Sequence, residues 1–136
     1  SHATACARTR VMSRLATALT VLDICRLKRE RAAADVSRLL ARQAALLRWM
    51  DEHAQSVATP NYQTAAWTAA RQLQVLREMS KLEHRLATAR AALRSADGRQ
   101  TTAARLLAEE RKANKRLFAR RREAAQPATY PGGRRP

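Results

Sequence analysis

Only one proline (Pro60) and one glycine (Gly98) occur in the first 126 residues of this 136-residue chain. Sheets and βαβ units need frequent turn residues, so all-β and α/β folds are close to excluded. Alanine supplies 30 residues, and Arg, Leu, Glu and Gln fill half of the rest, which gives high helix propensity nearly throughout. The length allows one domain. Thirty alanines and five aromatics make a poor globular core. Alanine buries little area at about 25 cal/mol per Å², so long helices packed along a thin seam suit the composition better.

Heptads confirm that direction. With Met12 as position a, the a and d positions run Met12, Leu15, Leu19, Leu22, Arg26, Arg29, Ala33, Val36, Leu40, Gln43, Leu47, Met50, Ala54, Val57, and eleven of the fourteen are apolar. This is a sustained coiled-coil signal. It ends at Thr59-Pro60-Asn61, where Pro60 lacks the N–H needed to continue a helix and pushes Thr59 out of the α region. The second apolar track is Ala66, Ala69, Leu73, Leu76, Met79, Leu82, Leu86, Ala89, Leu93, Ala96. Its 3-3-3 spacing from Leu73 to Leu82 reads as a stammer. Asp97-Gly98 is a weak point, because Gly costs about 1 kcal/mol relative to Ala inside a helix.

The expected fold is all-α: one long antiparallel two-helix coiled-coil hairpin over 1–124, with association into a larger helical bundle as an option. Helix 1 spans about 8–58, the turn 59–61, and helix 2 about 62–124 with a bend or break at 97–98. Folding about residue 60 pairs residue i with roughly 120 − i, so Leu47 meets Leu73, Ala33 meets Leu86 and Met12 meets Leu107. Arg26 and Arg29 then sit in mid-seam with Asp97 within about a turn of Arg26, so either Arg26 pairs with Asp97 or both guanidinia snorkel out past the seam. Residues 125–136 contain Pro, Gly and no apolar period, and read as a disordered basic tail.

Three surfaces are candidates for function. The g positions of helix 1 are also apolar, so its face is about three-sevenths of the circumference, a bundle width. Val11, Cys25, Leu39 and Leu46 on that g row form a strip for self-association or a partner, unless helix 2 covers it by packing off-centre. Trp49, Tyr62 and Trp67 lie close to Pro60 and form candidate tip contacts, as a loop cap or a binding hot spot. Arg111, Lys112, Lys115, Arg116, Arg120, Arg121 and Arg122 place seven positive charges in twelve positions, a candidate docking patch. The whole chain carries +16. Such a block can track a phosphate backbone or meet an acidic protein surface.

No chemistry-bearing motif accompanies them. His2, His53 and His84 are scattered, with no HExxH, CxxC, Gly-rich phosphate loop or Gly-x-Ser-x-Gly. No catalytic residue, cofactor or metal is expected. No run of 18 apolar residues exists, so no membrane insertion is expected. Cys6 and Cys25 on one helix stand roughly 28 Å apart at ~1.5 Å per residue and cannot pair. Two such cysteines suit a reducing compartment, and the cytoplasm is the expected location. Arg8, Arg10 and Arg14 without an acid also resemble a transit peptide, although a basic helix start explains them as well. Ser1-His2 without an initiator Met reads as the remnant of a cleaved tag.

A small, basic, Ala/Arg/Gln-rich chain folded as one long antiparallel hairpin from Met12 to about Ala124 resembles the FliJ/YscO class of type III secretion export proteins, in an Arg-rich version most like that of a plant-pathogen Hrp system. The resemblance rests on shape and charge, and assigns no single functional residue. It implies a central stalk inserted in a hexameric export ATPase ring and contacting an export gate protein. The isolated protein is then expected to be a homo-oligomer, given its wide apolar face. The competing reading is a basic helical protein associated with nucleic acid or the ribosome through residues 99–136.

Overall fold

The computed structural model describes residues 2–54 and 62–126, with the side chains of 5–7, 9, 10, 12–54 and 65–126. The chain is all-α: α1 (His2–His53) and α2 (Tyr62–Ala125) pack against each other as a helical hairpin, with no strand among the described residues. Helix 1 therefore starts about six residues earlier than the sequence suggests and ends earlier, at His53, with Ala54 in a turn closed by its N–H on the Asp51 carbonyl at 3.4 Å. Threonines within the helices are accommodated by donating their hydroxyls to the carbonyl four residues back, as Thr9 does to Ala5 at 3.0 Å and Thr88 to His84 at 3.1 Å. The expected turn at 59–61 and the greater part of the expected tail lie outside the described residues.

No bend or break appears at Asp97-Gly98, and α2 runs through it unbroken. Gly98 has ordinary helical backbone, and a Cβ placed there meets nothing within 4 Å. The high propensity of the flanking residues outweighs the glycine. Gly98→Ala is accordingly expected to stabilise the fold by about 1 kcal/mol. Urea unfolding measures this, and an unchanged or lowered midpoint would contradict it.

The chain divides into two compact units, a middle unit of residues 27–98 and a terminal unit of residues 1–26 and 99–136. In the middle unit the core is Leu46, Val75 and Leu82, with Leu39, Trp49, Met50 and Met79 packed around it. Leu86 and Ala96 are buried as well. Two contacts set the register there: Arg42 Nη2 donates to Glu78 Oε2 at 3.1 Å, and Arg29 pairs with Asp97. Going up α1 means going down α2, so the pairing is antiparallel, as expected. In the terminal unit the core is Leu22, Ala103 and Leu107, packed by Leu15, Ala18 and Cys25.

The phase of the seam differs from the expected one. Along α1 the inward rows are d and g: Leu15, Ala18, Leu22, Cys25, Ala32, Val36, Leu39, Gln43, Leu46, Met50 and His53 are buried or half-buried. The a row is exposed at Met12, Leu19, Leu40 and Leu47, with the small Ala33 half-buried. Along α2 the inward positions in the middle unit are Ala65, Thr68, Gln72, Val75, Met79, Leu82, Leu86, Ala89, Leu93 and Ala96. In the terminal unit they are Gln100, Ala103, Leu107, Glu110, Asn114, Leu117 and Arg121. These spacings alternate 3 and 4 without interruption, so there is no stammer. Leu73 and Leu76, which produced it, point outward. The expected pairs Leu47–Leu73 and Met12–Leu107 are not formed: Leu47, Leu73 and Met12 are exposed. Asp97 pairs with Arg29, the other arginine of the seam, and Arg26 lies 3.9 Å from Asp23.

Candidate functional site

The strip proposed from the g row is core. Leu46 is 4% exposed, and Leu39 and Cys25 pack against the two apolar clusters, so none of the three is open to a partner. The side chain of Val11 lies outside the described residues. The reason is geometric. Three adjacent rows of α1 are apolar, α2 covers only two, and the pair it covers is d and g. The open row is a, which sequence reasoning had placed in the seam.

The two edges of the middle unit differ in character. One edge is polar and tied across. It carries Arg42–Glu78, and the Arg71 guanidinium lies 5.6 Å from the Trp49 ring centroid, within cation–π range. Asp35 and Arg85 line one groove on that edge. The opposite edge carries Leu40 and Leu47 from α1 and Leu76 from α2, with Leu73 beside it, all open to solvent.

The aromatic cluster expected at the tip is divided. Trp49 is half-buried, packs on the core and stacks on His53 with ring centroids 4.3 Å apart and 16° between planes. His53 Nδ1 lies 2.9 Å from the Trp49 carbonyl, which fixes the stack within one helical turn. Trp49 is therefore held within the packing of the middle unit. Trp67 is 62% exposed and is free to meet a partner. The side chain of Tyr62 lies outside the described residues.

The basic block is placed as a solvated surface. Arg111, Lys112, Lys115, Arg116, Arg120 and Arg122 are exposed, while Arg121 falls on the inward row and is half-buried. None of those six exposed cations enters any ion pair seen among the described residues. They occupy several faces of α2 around the inward Asn114 and Leu117. The terminal unit holds 15 Lys+Arg against 4 Asp+Glu, so it carries +11 of the +16. A positive helical surface of this density attracts polyanions over distances set by the Debye length.

Among the described residues no group of three or more His, Cys, Asp or Glu could hold a metal ion. No helix among them is long and apolar enough to cross a membrane. The basic block, apart from the half-buried Arg121, and Trp67 are exposed in the structure. Sequence reasoning missed the open row of α1, whose signal was the three-row apolar width itself. Comparison with known proteins returns no match to this chain among family models, curated proteins or solved structures.

Proposed function

We propose that this chain is a non-enzymatic helical stalk or adaptor that binds a hexameric export ATPase and couples it to an export gate protein in the cytoplasm. The observation that carries the reading is the set of six exposed, unpaired cations on α2 of a two-helix pair with unbroken heptads. Paired helices of this length transmit position or torque by stiffness and need no catalytic group. A ring lumen lined with carboxylates attracts the basic block, and the exposed Trp67 is left for the gate. The resemblance to the FliJ/YscO class supplies the identity of the ring and the gate.

Replacing Arg111, Lys112, Lys115 and Arg116 together by Gln is expected to lower capture of the ATPase and its stimulation at least tenfold. Trp67→Ala leaves both unchanged. Binding titrations against the purified ATPase at several salt concentrations measure this. Loss of ATPase binding in Trp67→Ala alone reverses the orientation. If the charge variant keeps ATPase binding and loses binding to RNA, the stalk reading fails and a nucleic-acid function replaces it.

A further inference from the structure

The apolar edge of the middle unit is the surface that neither the core nor the basic block uses. Leu40 and Leu47 stand one heptad apart on α1, 39% and 46% exposed. Leu76 and Leu73 stand across from them on α2, 51% and 52% exposed. Alanines and a serine (Ala44, Ala69, Ser80) fill the spaces between, all exposed. By their helical positions these residues share one flank of the helix pair, an apolar groove-side face of the width that bundles use. Exposed contiguous apolar surface of this kind marks an interaction site.

Charge decides the occupant. The chain as a whole carries +16, and a groove built for an acidic partner would share that excess. The rim of this groove does not. Its charged residues are Arg48 and Arg77 against Asp51 and Glu83, all exposed and none in an ion pair seen among the described residues. Two bases and two acids leave it with no net charge. A rim with no net charge does not repel its own copy, and an isologous dimer brings the same patch of each subunit together. We infer that the groove takes the same groove of a second copy, joining two pairs of helices into a four-helix bundle with Leu40, Leu47, Leu73 and Leu76 at its centre. The rim carboxylates then meet the rim guanidinia of the partner copy. This dimer does not rest on the stalk reading; it stands on the groove alone.

The dimer has a salt signature opposite to that of the basic block. Two copies of +16 repel, so screening strengthens their association, whereas docking of the basic block on a polyanion weakens as salt rises.

Sedimentation equilibrium of the full chain tests the proposal. Wild type is expected at twice the monomer mass at high micromolar concentration, with tighter association at higher salt. Leu47→Glu combined with Leu76→Glu should return it to monomer mass while its helical circular dichroism stays unchanged, because both positions are outside the seam. Leu27→Glu, on an exposed leucine away from the groove (56% exposed), should keep the dimer. A monomeric wild type overturns the proposal, as does a Leu27→Glu protein dissociated as fully as the groove variant. If wild type is monomeric and the groove variant instead loses capture of the export ATPase, the groove belongs to that partner and the dimer is wrong.

Discussion

Leu46→Glu is expected to unfold the middle unit, while Leu47→Glu, one residue along, leaves it folded. The two leucines are chemically identical and neighbours on α1, but Leu46 is 4% exposed and packed against Val75 and Leu82, and Leu47 is 46% exposed. Truncating a buried leucine to alanine costs about 2–5 kcal/mol. Burying a carboxylate costs more still, although Arg42, Lys81 and Arg85 line the groove beside Leu46 and offset part of that cost. A thin two-helix core has little stability in reserve, because total stabilities are only about 0.05–0.15 kcal/mol per residue. Thermal unfolding followed by circular dichroism gives the answer directly. Equal loss in both variants, or greater loss in Leu47→Glu, would show that α2 covers the a row and that the seam described here is out of phase.

That pair of residues also marks where sequence reasoning stopped. The all-α class, the antiparallel pairing and the end of α2 near residue 124 were legible, because they follow from scarce Gly and Pro and from long periodic runs. The phase was not. An apolar face three rows wide contains two adjacent two-row seams, and the choice between them belongs to the partner helix. On α2 the misreading has a different cause. Leu73 and Leu76 are more hydrophobic than Gln72 and Thr68, so a track drawn by hydropathy follows the leucines outward, whereas the half-buried Gln72 and the buried Thr68 and Val75 hold the inward line. Registering α2 by strict 3-4 spacing from the buried alanines Ala96 and Ala103 would have recovered it. With d and g inward, Arg29 stands on the d row and pairs with Asp97.

Among the candidate sites, composition located what geometry could not move. A run of seven cations in twelve positions must be mostly solvated wherever the helix turns, since fewer than a third of its positions can face inward. Only Arg121 does, and it is half-buried. The g-row strip depended wholly on phase and was lost with it. Trp49 and Trp67 could not be separated without knowing which residues α2 presents to α1. The structure separates them by the His53 stack and the Arg71 contact that hold Trp49 in place.

Neutralising the basic block should raise stability and abolish docking in the same protein. Arg111–Lys115, Lys112–Arg116 and Arg116–Arg120 are like-charge pairs four residues apart on α2. Each such pair destabilises a helix by about 0.2–0.5 kcal/mol at low ionic strength. The terminal unit adds a general self-repulsion from its +11. Changing Arg111, Lys112, Lys115 and Arg116 to Gln removes all three pairs with residues of similar helix propensity, so a gain of about 0.5–1 kcal/mol is expected in low salt. That gain should shrink as salt screens the charges, because wild type is relieved by the same screening. A segment that holds cations together against its own stability is what the proposed docking role requires, in the ordinary trade between stability and function. Urea titrations of wild type and the fourfold variant at low and high salt, alongside ATPase capture, measure both sides. If the variant is less stable at low salt, the cations are structural and the docking role assigned to them is withdrawn.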